Sequence, residues 1–182
     1  MKEIETRILD VDVAEIRRKL LVLNAKKVKE ENQINDIYDF DDSRLLRAKG
    51  YARVRTVKDN ITCSTYYYMT VKKMLSQEMY KVMEENEIKI SDPIEGANIY
   101  KALGLKLVES INKYRESYMY KHSLIEIDIN DKSFCPFPYI EIETAYEDEL
   151  KEIVSLLGYT MDDTTSKTIY EILAEKGYKS EV

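Results

Sequence analysis

Glu3, Glu5 and Arg7 stand two apart at the start of the chain, and Glu141 and Glu143 stand two apart near its end. The same interval recurs between them, at Arg53/Arg55, Glu85/Glu87, Lys113/Arg115 and Glu126/Asp128, with Lys72 two beyond Thr70. Residues two apart share one face of an extended strand. Each pair would therefore set like charges side by side, with apolar neighbours such as Ile4, Ile8, Ile125, Ile127, Ile140 and Ile142 on the opposite face. Carboxylate pairs suit hard divalent cations, which prefer oxygen ligands. Arg and Lys pairs suit phosphate oxygens. The chemistry suggested is capture of a polyvalent anion together with a metal ion. A sheet with one solvated face also alternates, but there opposite charges pair across the ladder. Like-signed pairs repeated along the chain are what a shared polyvalent ligand needs. Periodicity leaves open whether the charged face meets solvent or the inside of a barrel. Inside a barrel, unpaired charge is costly, so ligand and metal would supply the partners.

The elements that must carry these residues can be read from the same rows. A strand over 2–9 leads to Asp10 and Asp12, either able to cap a helix over 13–24 with Val13, Ile16, Leu20 and Leu23 as its apolar stripe. A long extended segment covers 27–40, and "SRLLRAKG" makes one helical turn. "YARVRTV", "STYYYMTVKKM" and "EMYKVMEENEIKI" alternate as strands of an antiparallel meander. "SDPIEGANIYKALG" reads as a helix capped at Ser91 or Asp92, with Pro93 in its first turn and Gly104 at its end. Three strands follow, in "KLVESINKYRESYMY", "SLIEIDIND" and "FPYIEIETAY", and two helices over 147–157 and 164–176 close the chain. The helix-to-strand passages "EIRRKLLVLNAKKVKEE" and "ANIYKALGLKLVES" echo one another, and "ELKEIVSLLGY" repeats the helical half.

Length and composition bound the rest. A chain of 182 residues fits one domain, here 1–182, with room for a real core. Hydrophobic residues at 44% exclude a disordered class, and five glycines with three prolines leave no room for long linkers. The net charge of −6 argues against a nucleic-acid binder, and an anionic ligand would need clustered cations against that field. No apolar run reaches membrane-spanning length and no secretory leader is evident, so no membrane partner and a cytoplasmic location are expected. Cys63 and Cys135 then read as reduced thiols. A single histidine, His122, argues against His-based zinc sites and a Ser-His triad.

In order along the chain, "EIETR", "YARVR", "TVK", "EENE", "KYR", "IEIDI" and "YIEIE" resemble the motif series of the CYTH superfamily, the triphosphate tunnel metalloenzymes. The resemblance spans almost the whole chain. It implies an α+β fold, an eight-stranded antiparallel β-barrel whose tunnel is lined by charge, with helices packed outside. Carried over by position, Glu3, Glu5, Glu141 and Glu143 resemble the metal-binding carboxylates, with Asp128 as a helper. Arg53, Arg55, Lys72, Lys113 and Arg115 resemble the triphosphate-binding cations. Glu85 and Glu87 match an acidic strand that holds a second metal or orients the basic residues, and Lys167 sits where a C-terminal helix can add a cation.

The activity implied is hydrolysis of an inorganic or organic triphosphate with Mg²⁺ or Mn²⁺. The alternatives are a class IV-type adenylyl cyclase and a non-catalytic polyphosphate- or nucleotide-binding module. The partner would be a triphosphate-containing small molecule, with a homodimer left open. One departure stands out. The family opens on Glu-x-Glu-x-Lys, and this chain has Arg7. An arginine stays charged, so Arg7 keeps a phosphate-binding or carboxylate-pairing role but not that of a proton acceptor. Arg7 and Lys72 are the residues expected to act at the reacting phosphate.

Overall fold

Strand after strand carries an apolar residue at every second position, and the structure turns those residues outward, under helices. The structure is a computed structural model that describes residues 2–178, with the backbone alone at residues 2 and 3. Its elements are β1 (Lys2–Leu9), α1 (Val13–Val22), β2 (Lys26–Asp39), α2 (Arg44–Arg47), β3 (Tyr51–Asp59), β4 (Thr65–Gln77), β5 (Lys81–Ile90), α3 (Pro93–Ala102), β6 (Lys106–Tyr120), β7 (Ser123–Asn130), β8 (Tyr139–Thr144), α4 (Glu147–Leu156), β9 (Thr164–Thr165) and α5 (Ile169–Glu175). The strand order β5-β4-β3-β2-β6-β7-β8-β1 closes through a β5–β1 pairing, and every pairing is antiparallel. This is the expected eight-stranded barrel with helices outside. The short β9 lies along β1 where β5 leaves it, pairing Thr165 with Arg7.

The outer apolar face makes the core. Ile8, Ile125, Ile127, Ile140 and Ile142 from three adjacent strands pack against Ile16 and Leu20 of α1 and Leu150, Ile153 and Leu157 around α4. Ile16 and Leu20 are one turn apart, so they share a helix face. Asp12, not Asp10, caps α1, accepting from the backbone N–H groups of Ala14 (2.9 Å) and Glu15 (3.1 Å). Asp92 caps α3 in the same way, with Pro93 at the first helical position. The sequence echo has a structural counterpart. The three helices of the echo, α1, α3 and α4, each end with a left-handed residue, Asn24, Gly104 or Gly158, an ending that α2 and α5 share at Lys49 and Gly177. In each, the following N–H reaches back across the last turn, Ala25 to Leu20, Leu105 to Tyr100 and Tyr159 to Val154. That double closure satisfies carbonyls the helix end would otherwise orphan.

The C-terminal segment departs from the expected helix over 164–176. Residues 164–165 form β9, and the helix starts only at Ile169. The cause is local. Thr168 and Glu171 form a capping box, which fixes the first turn, while the threonines before it favour extended backbone. The displaced helix closes one end of the barrel, where Ile172 and Leu173 pack with Ile37, Ile111, Phe134, Phe137 and Tyr139. Among the described residues no helix is long and apolar enough to cross a membrane.

Gly50 brings β3 close to β4. A Cβ there would lie 2.4 Å from the Lys72 carbonyl oxygen and 3.3 Å from the Lys73 Cα. Gly50→Ala is expected to destabilise the protein by about 1–3 kcal/mol, as overpacking against backbone does. A urea midpoint equal to that of the unmodified protein would show that the strands part at no cost.

Outside the barrel, Glu116 ties α1 to β6. Arg17 donates to it at 3.1 and 2.7 Å, and the Tyr114 and Tyr118 hydroxyls donate at 2.7 Å each. Burial opposes the charge, yet Arg17 and the two hydroxyls hold Glu116 down at about 2, from an ordinary 4.5. A lowered folded pKa gives stability that is present above the unfolded value and lost as pH falls through the folded one. Glu116→Gln should therefore lose less stability than the parent between pH 4.5 and 2, read by denaturant unfolding at each pH. Equal losses in both proteins would assign the acid sensitivity elsewhere.

Candidate active site in the barrel tunnel

The strand parity that points isoleucines outward points the charged pairs inward, around a cavity of about 500 Å³. Glu5, Arg7, Arg53, Arg55, Lys72, Glu85, Glu87, Lys113, Arg115, Glu141 and Glu143 all line it. Asp128 stands behind Arg115, wholly buried. The walls divide into three groups set by strand register.

On the first wall, β1 pairs with β8 and β5, which places Glu5 beside both Glu143 and Lys81, and Arg7 beside Glu141. Ligand oxygens of Glu5, Glu141 and Glu143 all fall within 4.8 Å of one another. Arg7 forms an ion pair with Glu141. Lys81 forms one with Glu5 and reaches Glu141 at 3.5 Å. Burial opposes the Glu141 charge, but Arg7, Lys81 and Arg115 hold its carboxyl well below the usual range. Glu143 differs. Burial and then the Glu126 charge push it well above the usual carboxylate range, and among the described residues no cation lies at ion-pair distance from it.

The second wall is a buried lattice on β6 and β7. Arg115 donates to both Asp128 oxygens at 2.6 Å, and Lys113 donates to Asp128 at 3.0 Å. Arg115 also pairs with Glu126 and, at 3.3 Å, with Glu141. Burial and the Arg115 charge push the Lys113 ammonium down to about 8. On the third wall, Lys72 meets Glu85 at 2.9 Å, Arg55 meets Glu87 at 2.8 Å, and Arg53 lies 3.5 and 3.4 Å from Glu85 and Glu87. Thr70 donates to Glu87 at 2.7 Å.

Besides the Asn130 amide nitrogen, three donors on these walls have no hydrogen-bond acceptor among the described residues. They are the buried Nε atoms of Arg7, Arg53 and Arg55. Buried donors are almost always paired, and an orphan costs about 1–3 kcal/mol. Beyond them, toward the end closed by α5, the lining turns apolar and aromatic, with Ile37, Tyr51, Ile111, Phe134, Ile169 and Tyr170.

Several expected site residues are not brought to the carboxylate cluster. Asp128 has both oxygens engaged by Arg115 and Lys113, and Glu85 and Glu87 pair with the cations of their own wall. Lys167 does not line the cavity. Its ammonium pairs with Glu175 at 2.6 Å along α5, because the capped helix start turns that side chain outward, and only its carbonyl reaches the site, accepting from Arg7 Nη1 at 2.9 Å. The Glu3 side chain lies outside the described residues. The tyrosines at 66–68 line no part of the cavity. Tyr66 lies under the Lys89 ammonium, 3.8 Å from the ring centre.

The residue missed from sequence is Lys81, 2% exposed and deep in the first wall. The signal was present, since Lys81 shares the parity of Glu85 and Glu87 on one strand. It stood as a lone lysine among pairs.

Known proteins agree with this architecture. A Methanocaldococcus jannaschii protein provisionally named adenylate cyclase is 29% identical over 182 residues, covering 94% of this chain and 98% of that protein. The solved structure of the PH1819 protein from Pyrococcus horikoshii superposes with a TM-score of 0.78 at 23% identity, covering 96% of this chain and 99% of that one. A Hippeastrum structure, described as a candidate adenylyl cyclase with a dominant triphosphatase activity, superposes with a TM-score of 0.68 at 15% identity, covering 98% and 96%. Residues 1–169 match the CYTH domain, and with the charged barrel already in view the chain belongs to the CYTH domain family.

Proposed function

We propose that this protein is a divalent-metal-dependent triphosphatase that binds an inorganic or organic triphosphate in the tunnel. The observation that carries the reading is the set of three arginines, Arg7, Arg53 and Arg55, that line one cavity. A triphosphate offers acceptors to all three at once, and charge-assisted bonds of this kind are the strong ones. Lys72 adds an ammonium group on the wall of Arg53 and Arg55, and Lys113 adds one on the β6–β7 wall.

The donor set also fits a metal. Glu5, Glu141 and Glu143 give hard oxygen ligands within one small volume, which suits Mg²⁺ or Mn²⁺. Glu143 in particular has no ion pair among the described residues. A divalent ion held there supplies polarisation of phosphoryl oxygens and a bound water of lowered pKa. The chain's own part is positioning. Glu85 and Glu87 hold the Arg53, Arg55 and Lys72 head groups before any ligand arrives, and Asp128 holds Arg115 and Lys113. Preset donors need no reorganisation as charge builds on the phosphate oxygens. Arg7, always charged, binds and does not accept a proton.

Cyclisation of ATP is the second reading. The apolar and aromatic end of the cavity favours a substrate with an organic group, and the archaeal relative bears the cyclase name. The test is one incubation series with ATP, thiamine triphosphate and inorganic triphosphate, each with Mg²⁺ or Mn²⁺, measuring free phosphate and cyclic AMP. Phosphate without cyclic AMP supports the triphosphatase. Cyclic AMP from ATP replaces it with the cyclase. Tight binding with neither product assigns a binding module.

A further inference from the structure

The carboxylate cluster already contains a cation of its own. Lys81 enters from β5, whose register places it directly across from Glu5 of β1. Its ammonium contacts Glu5 and lies 3.5 Å from Glu141, two of the three carboxylates of the candidate metal centre. The third, Glu143, has no cation at ion-pair distance among the described residues. Glu141 is further engaged by Arg7 and Arg115, and Glu5 by Lys72 at 3.9 Å. Among the described residues the ion pairs of the cluster are thus lopsided, gathered on Glu5 and Glu141 with none on Glu143.

We propose that the Lys81 ammonium is a built-in substitute for a divalent ion, so that the tunnel binds one metal ion, on the Glu143 side, and excludes a second from the Glu5–Glu141 side. The proposal rests on the metal reading above. Magnesium and manganese sit about 2 Å from their ligand oxygens, inside the volume that an ammonium hydrogen-bonded to the same oxygens fills. The stem has little room to leave, since Lys81 is 2% exposed. A cation beside a dication in a poorly hydrated site repels it, and that repulsion is little screened by salt. Lys81 is then a positioning residue. It fixes the Glu5 and Glu141 carboxylates and sets the metal count, without touching substrate.

The experiment is a Mn²⁺ titration followed by the electron paramagnetic resonance of free Mn²⁺, using the full chain and its Lys81→Met and Lys81→Arg variants. The unmodified protein should bind one ion. Lys81→Met, close in shape but uncharged, should bind two, or bind the first at least tenfold more tightly. Lys81→Arg, which keeps the charge, should still bind one. A purely structural role for Lys81 would not change the count. Two ions on the unmodified protein overturn the proposal, as does a Lys81→Met count and affinity equal to the parent's. If Lys81→Met does not fold, the parent and Lys81→Arg counts decide, and two ions on either one overturn it. No Mn²⁺ bound by any of the three proteins overturns the metal reading itself, a result distinct from either failure of the Lys81 assignment.

Discussion

Asp128→Ala is expected to destabilise the protein by about 3–5 kcal/mol, the usual cost of removing one partner from a buried ion pair. Asp128 is completely buried and holds Arg115 by two 2.6 Å hydrogen bonds and Lys113 by one of 3.0 Å. Its loss leaves Lys113 with no ion pair among the described residues and Arg115 leaning on Glu126 and Glu141. The signature of a ligand-ready lattice is partial rescue. Added triphosphate brings anionic oxygens to the same cations, and a ligand that binds only the folded state stabilises by mass action. Urea unfolding with and without inorganic triphosphate should therefore show a larger ligand-induced gain in Asp128→Ala than in the parent. A variant as stable as the parent would mean that water, not Asp128, solvates these cations. Equal ligand gains in both proteins would detach Arg115 and Lys113 from the binding site.

Much of this site was legible before any fold was known, for one physical reason. Side chains alternate with period two on a strand, so like-charged residues two apart must point together. That rule alone collects Arg53 with Arg55, Glu85 with Glu87 and Glu141 with Glu143, and all six line the cavity. The face they point to was not legible from period two, because an exposed sheet face alternates equally well. The motif order supplied the barrel. Partner choice across strands was also out of reach. Whether Glu85 meets a metal or Lys72 depends on which strands adjoin and in what register, and β4–β5 register sets Lys72 opposite Glu85. Lys81 illustrates the same limit, since its meaning comes from the closure of β5 onto β1 at the far ends of the sheet order. Local chemistry decided the C-terminus. A threonine-rich run before a capping box reads as helix when only apolar spacing is weighed, and the box at Thr168 and Glu171 moves the start to Ile169. Lys167 then falls just outside the helix and turns to Glu175.

Glu143→Gln should separate stability from activity most sharply. Glu143 is the one carboxylate of the three-residue cluster without a cation at ion-pair distance among the described residues, and burial and the Glu126 charge both disfavour its ionised form. Gln has the same shape and no charge, so the substitution removes an electrostatic penalty from the folded protein. The thermal midpoint is expected to stay level or rise. Metal-dependent turnover is expected to fall on the order of 10²-fold or more, the scale seen when a preset charge at a reacting centre is removed. The loss should appear mainly in kcat, with triphosphate affinity in the absence of metal little changed, because Arg7, Arg53 and Arg55 still supply their donors. Such a pairing of higher stability with lower activity marks a residue kept in a costly state for function. Two measurements check it, a melting curve without ligand and steady-state phosphate release across a Mg²⁺ or Mn²⁺ series. Turnover that survives in Glu143→Gln with the parent's metal dependence would remove Glu143 from the metal centre. A large drop in melting temperature would show instead that its charge is neutralised in the folded protein and supports the barrel wall.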